Sequence, residues 1–388
     1  MVKTAQACSF VTNHAELKQK SKVNETKYML QYLTEYFVLC YNKAGDVVMK
    51  QREYGIDLLR ICAAFMVVLI HVSADPWPHY AYDSTEWFVC HFFDSLARSA
   101  VPLFVMISGM FLLNPNKELT WKMLWKKYCK RILMIFLCWS AFYDGIYYVL
   151  WPMLQGVAPD GLQVWRMLWK GHYHLWYCKM LLGLYLLMPF LKKITADKAL
   201  MEYFLILTAV FTVVIPVLPF WLVKEFMMDT FFYFTLGFVG YFVLGYYLKT
   251  VTLSGKQQAI IYVLGIAGLL FTIFGSVHKA YLVGVPYGYY DPQLPNVVCM
   301  TIAIFVFFQY HTNAIANRFS KAVSVLSGCT LGIYLIHPLV IMLLQRVGIG
   351  VAMCPLYTSI PLTTVLTFII SLCITWCMKK LPLLKELI

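Results

Sequence analysis

Charge is what this sequence has least of. Asp, Glu, Lys and Arg make up 13% of its 388 residues, where soluble domains carry about 25%. Apolar residues take 61%, against about 45–50% in a soluble domain. Polar side chains this sparse exclude an ordinary soluble globule and leave the membrane class. Paired cysteines are also lacking. The twelve cysteines are scattered, and Cys373 and Cys377, four apart on a helix, come closest to a metal-ligand spacing, so neither a metal site nor a disulfide framework is expected. They read as small packing residues; Cys90 and Cys354 are expected to face outward, with nothing to pair them. No internal repeat is visible. A net charge of +13 comes without a basic groove or a stacking module, so nucleic acid is not an expected partner.

Long apolar runs are what the sequence does have. A helix needs about 20 mostly apolar residues to cross a hydrocarbon core of about 30 Å, and such stretches follow one another at 57–74, 99–114, 132–151, 174–191, 203–222, 230–248, 258–278, 296–312, 324–345 and 358–378. The expected fold is an all-α integral membrane bundle of about ten transmembrane helices. Lys and Arg test the count, because cytoplasmic loops hold an excess of both. With the N-terminus inside, 24 of the 32 fall on the cytoplasmic side and six outside. Both termini are therefore expected in the cytoplasm, and the positive charge reads as a topology signal with anionic lipid and cytosolic phosphates as partners.

Residues 1–49 are polar and Lys-rich, with one aromatic stretch from Tyr28 to Tyr41 too short to span, and no signal-peptide pattern. They read either as a cytoplasmic extension with an interfacial helix or as sequence upstream of a true start at Met49, the reading favoured here. Residues 50–388 read as one membrane domain without a soluble appendage. The larger outer segments, 75–98, 152–173 and 279–295, are rich in Trp, Tyr, Pro and Asp, which suits a saccharide surface as well as interface anchoring.

An ionisable group inside a span costs several kcal/mol and is a candidate for function by default. The candidates are Asp57, Arg60, His71, Asp144, His174, Lys179, His311 and His337, with Arg98 at the mouth of the second span. Arg60 and His71 lie just over three helical turns apart, about 16 Å along the axis, so both leave the first span on nearly one face. Asp57, one turn from Arg60, is a possible ion-pair partner. The bland reading is a snorkelling Arg60 and a His71 hydrogen-bonded to a neighbouring helix.

Four blocks then carry a resemblance: YGIDLLRICAAFMVVLIH at 54–71, RSAVPLFVMISGMFLL at 98–113, HLWYCKMLLGLYLLMPFL at 174–191 and CTLGIYLIHPLVI at 329–341. Together they resemble acyltransferase family 3, the membrane-bound O- and N-acetyltransferases, in the short single-domain bacterial branch that includes the enterobacterial-common-antigen acetyltransferase. The resemblance implies ten helices with both termini cytoplasmic, in a bacterial inner membrane. An Arg and a His with ten residues between them fall on Arg60 and His71, to which the family assigns the acyl-donor site and acyl transfer. A second motif, two Arg separated by two residues, is only partly kept: aligned on Arg131, the other position is Tyr128, with Lys126, Lys127 and Lys130 supplying charge without the bidentate fork of Arg.

The implied reaction moves an acetyl or other acyl group from cytosolic acyl-coenzyme A, a co-substrate rather than a bound cofactor, to a hydroxyl or amine of an envelope or exported saccharide. No metal is called for. His71 is the expected base, a neutral imidazole suiting the bilayer better than a carboxylate; general-base transfer and an acyl-histidine route both stay open. Donor phosphates would meet Arg60, Lys126, Lys127, Lys130 and Arg131, although positive-inside demands a charge run at 126–131 in any case. The acceptor would meet outer loops carrying Asp83, Glu86, Trp87, Trp151 and Trp165. His174, Lys179 and His337 are secondary candidates, His337 having a structural alternative in bonding backbone freed by Pro338. Ser108 before Gly109 reads as close helix packing. The rival class is a secondary transporter, whose intramembrane charges would mark a substrate path.

Overall fold

The computed structural model describes residues 52–217, 231–284, 288–382 and 384–388. Residues Tyr54–Ile388 form one compact unit. The expectations for residues 1–49 lie outside the described residues.

Every long element described is a helix. Eight helices among the described residues are long and apolar enough to cross a membrane: α1 (Tyr54–Ala74), α2 (Thr85–Leu112), α3 (Trp121–Leu154), α4 (Gly161–Ile194), α5 (Lys198–Val217), α7 (Gly255–Val283), α9 (Ser320–Arg346) and α10 (Leu356–Met378). Between them lie α6 (Phe231–Thr250) and the shorter apolar α8 (Pro295–His311). These ten coincide with the ten apolar stretches. The surface fits lipid: α10 buries Ser359, Thr363, Thr364, Thr367, Ser371 and Thr375 while exposing Leu362, Val365, Ile369 and Trp376. That is the reverse of a soluble helix, and it follows from a solvent that rewards no burial of apolar groups.

Three spans begin well before expectation, the fourth at Gly161 rather than 174. The second begins at Thr85 rather than near 99, because Ser84 caps its first turn by accepting from the Trp87 N–H (3.1 Å). Polar residues such as Glu86, His91 and Asp94 had lowered the hydropathy of this segment, which turns its buried face inward. The third begins at Trp121, since the basic run is itself helical: residues Leu124–Cys129 form a wide π turn, a local under-winding often found at functional sites.

α1 sits at the centre, packed against α2, α8, α9 and α10, while α6 makes its broadest contact with α2. The α2–α6 crossing depends on small residues, as expected for Ser108-Gly109. A Cβ on Gly109 would collide with the Phe242 carbonyl, and one on Gly245 with the Met106 carbonyl. Ser108 spends its hydroxyl on the Phe104 carbonyl (2.8 Å). Because both collisions are with backbone, Gly109→Val should cost at least the upper end of the about 1–3 kcal/mol typical of overpacking. We expect loss of the monodisperse folded species in detergent chromatography; unchanged yield and unfolding midpoint would contradict the crossing.

The loops assigned to the inner side by charge gather at one end of the bundle. There Thr195 donates to the Leu113 carbonyl (2.7 Å), Gln309 to the Leu248 carbonyl (2.9 Å), and Asn313 accepts from the Gly55 N–H (2.9 Å). At the other end Gln345 donates to Asp75 (2.7 Å), and Arg346 lies 3.9 Å from the centroid of the Trp151 ring.

Candidate active site

The site is built around a gap in the hydrogen-bond ladder of α9. Pro338, inside α9, has no N–H for the carbonyl four residues back, that of Tyr334. His337 replaces the missing donor: its Nδ1 lies 2.7 Å from the Tyr334 carbonyl and 3.3 Å from that of Ile333. A carbonyl can only accept, so Nδ1 carries the proton and Nε2 a lone pair. Nε2 is buried and meets no hydrogen-bonding partner among the described residues. The imidazole stacks on His71, with centroids 4.9 Å apart and planes at 29°. The structural alternative for His337 is thus realised, and the same ring supports the one expected to do chemistry.

A second break brings two more imidazoles. The segment Gly161–Lys170 ends at Gly171, whose φ of 73° an L side chain rarely adopts. A Cβ there would also stand 2.7 Å from the Phe136 ring. The chain turns and delivers His172 and His174, whose Nδ1 atoms lie 2.8 Å apart, one donating to the other. His174 is buried, its ring centroid 5.6 Å from that of His337. His172 stacks on Tyr143 at 4.4 Å and 14°. Tyr173 meets the edge of His71 at 5.2 Å. Tyr334 donates to the His174 carbonyl, and Tyr143 to that of Leu335 (2.7 Å), which ties the turn of α4 to α9.

His71 also lines a cleft of about 370 Å³ with Arg98, Trp176, Tyr290, Asp291 and Gln293. Arg98 is held by Asp94, donating from Nε (2.6 Å) and Nη2 to the same oxygen, and its guanidinium lies 4.4 Å from the Tyr290 ring centroid. His91 stands behind. Its Nε2 donates to the Ile273 carbonyl (2.9 Å), leaving Nδ1 to accept from the Tyr290 hydroxyl (2.5 Å). Burial, with the Asp94 carboxylate near, pushes the Tyr290 phenol up, so it remains a donor. The cleft therefore combines a base on one wall, a cation on another and aromatic faces between.

The basic end is separate. Arg60 donates to Asp57 (2.7 Å) and Ser327 (3.0 Å), and Ser327 donates to Asp57 (2.7 Å). Its guanidinium lies 5.8 Å from the Phe111 ring centroid. One residue on, Leu112 borders a pocket of about 180 Å³ with Lys127, Tyr128, Arg131 and Tyr185, so Arg60 and Arg131 share one end of the bundle. Lys126 and Lys130 are exposed and do not line that pocket.

His71, His174, His337 and Arg98 thus come together, while Asp57, Arg60, Lys127 and Arg131 gather at the opposite end. Lys179 joins neither; exposed, it donates to the Lys170 carbonyl (2.9 Å). Asp144 is buried and borders neither pocket, and exposed His311 pairs with Tyr262 (3.0 Å). Of the acceptor-surface candidates, Trp87 is buried and stacked on His91 at 5.0 Å, which corrects its placement on an outer loop; Asp83, Glu86, Trp151 and Trp165 are exposed. His172, His91, Tyr290 and Gln293 are additions that sequence reasoning had passed over. His172 carries a local signal, its place beside Gly171 two residues before His174.

His337→Phe keeps the stack but removes the donor to the Tyr334 carbonyl. An unsatisfied buried carbonyl costs about 1–3 kcal/mol, so the thermal unfolding midpoint should fall; an unchanged midpoint would show the carbonyl satisfied otherwise.

A multi-pass helical bundle with a cleft bordered by His71 and Arg98 defines the class as a membrane protein. Residues 53–379 match the acyltransferase domain model of acyltransferase family 3, and the chain belongs to that family of membrane acyltransferases. An amino-acid racemase of Enterococcus faecalis is 36% identical over 143 residues, 33% of this chain and 18% of that protein. The chain thus spans less than a fifth of that relative's length. No solved structure matches.

Proposed function

We propose that the protein moves an acetyl group from cytosolic acetyl-coenzyme A to a hydroxyl or amine of a cell-envelope or exported saccharide, in the bacterial inner membrane with both termini cytoplasmic. The observation that carries this reading is His71, backed by His337 and facing a cleft that also holds Arg98. Donor phosphates meet the basic end, where Arg60, Lys127 and Arg131 lie, with Lys126 and Lys130 adding field at the rim. From Arg60 to His71 is about 16 Å along α1, a span for the pantetheine arm.

At His71 the imidazole takes the proton of the acceptor hydroxyl while its oxygen attacks the thioester carbonyl. The tetrahedral oxyanion is held by donors in the cleft, Arg98 foremost. As the carbon–sulfur bond breaks, the imidazolium returns the proton to the departing thiolate, giving the ester and free coenzyme A. His337 acts through His71 by fixing its ring.

Acetyl-labelled coenzyme A, incubated with purified protein and an envelope extract in detergent, tests this. We expect label in the saccharide-bearing fraction, released by hydroxylamine if an ester and retained if an amide. A transporter has no gradient to use under these conditions and would leave the fraction unlabelled, overturning the proposal.

A further inference from the structure

A second cavity shares a bordering residue, Gln293, with the cleft. It is a groove of about 470 Å³ between α5, α6 and α8, walled by Leu205, Ala209, Val213, Gly240, Leu244 and Ile302. Its polar residues are turned to the protein. Thr208 and Thr212 donate to the Phe204 (2.9 Å) and Thr208 (2.7 Å) carbonyls, Tyr247 to Glu202 (3.1 Å), and Tyr241 to the Pro292 carbonyl (2.5 Å). Apart from the Glu202 carboxylate and the Gln293 amide, what remains for an occupant is mostly apolar surface. From Glu202 to Val213 the groove follows α5 for about 16 Å, half of a hydrocarbon core of about 30 Å. α5 exposes Ile206, Val210, Phe211 and Val214, so the groove lies on the lipid side of the bundle. Gln293 borders both groove and cleft.

We infer that the groove seats the hydrocarbon tail of a lipid-borne saccharide, which makes the acceptor a membrane-anchored glycolipid rather than a free sugar; this rests on the acyltransferase reading. The order of surfaces argues for it. From His71 outward come the cleft, where Arg98, Tyr290 and Asp291 offer hydrogen-bonding groups among apolar walls, then Gln293, then the apolar groove, matching reacting hydroxyl, sugar, linkage and tail. Lipid and groove are equally apolar, so the tail gains packing and alignment rather than hydrophobic free energy. Its use is to hold the sugar in register with His71.

The test uses a 12-carbon alkyl glucoside with a diazirine at the tail end, photolysed with the full chain in phospholipid nanodiscs. We expect cross-links concentrated on residues 205–213 and 240–244. Unlabelled 12-carbon glucoside should compete about tenfold better than a phospholipid of equal chain length, a difference of about 1.4 kcal/mol. Ala209→Trp, which fills the groove from an exposed position, should reduce labelling several-fold, and Val263→Trp on the lipid face of α7 should not. Labelling spread evenly over lipid-facing helices, or equal competition by phospholipid, would overturn the inference and mark the groove as an ordinary lipid contact. Thioester loss from acetyl-coenzyme A separates the two proposals. If native protein and Ala209→Trp both consume the donor while the groove goes unlabelled, only this inference fails; if neither consumes it, the acyltransferase reading fails.

Discussion

His71→Ala should lower acetyl transfer by about 10²–10⁴, the contribution of a positioned general base, while acetyl-coenzyme A still binds. The separation follows from geometry. His71 lines the cleft at one end of α1, and the basic groups assigned to the phosphates lie at the other, with Arg60 bonded to Asp57 and Ser327. Truncation at His71 also removes the ring on which His337 stacks, but no hydrogen bond of His337, whose Nδ1 belongs to backbone. Turnover should therefore fall without a matching loss of folded protein. Measured turnover within about threefold of native would remove His71 from the chemistry.

Arg98→Ala should be the most damaging single charge removal. Asp94 is fully buried, accepts both Arg98 bonds on one oxygen, and has its other oxygen without a partner among the described residues. Removing one member of a buried pair typically costs about 3–5 kcal/mol, because a charge is left uncompensated. The double variant Asp94→Ala with Arg98→Ala removes both charges and should recover most of that loss, as thermal unfolding in detergent would show. Transfer activity should stay low in the double variant, since the cleft has lost its cation. Recovery of both stability and activity would make Arg98 a structural residue only.

The hydrophobic runs foretold the helices because bilayer thickness sets a length that sequence alone can meet, and all ten stretches have helical counterparts. The charge pattern likewise foretold which loops share an end. What escaped was amphipathic structure within the membrane: residues 85–97 read as a loop because Glu86, His91 and Asp94 dilute its hydropathy, yet His91 and Asp94 point inward to Tyr290 and Arg98. Arg60 and His71 were legible as a pair because helical pitch relates them on one element. The His172–His174 contact depends on the turn at Gly171 and on α9 packing beside it, and Gln293 matters only because two cavities meet there. Such relations are tertiary, and no spacing along the chain announces them. His337 was legible in one half, its proximity to Pro338, and not in the other, its stacking on His71.

Thiol release from acetyl-coenzyme A by the purified protein, in detergent and without a membrane gradient, tests the central claim most directly. The native chain should release the thiol, and that release should depend on His71. A native protein that neither binds acetyl-coenzyme A nor frees its thiol would contradict it.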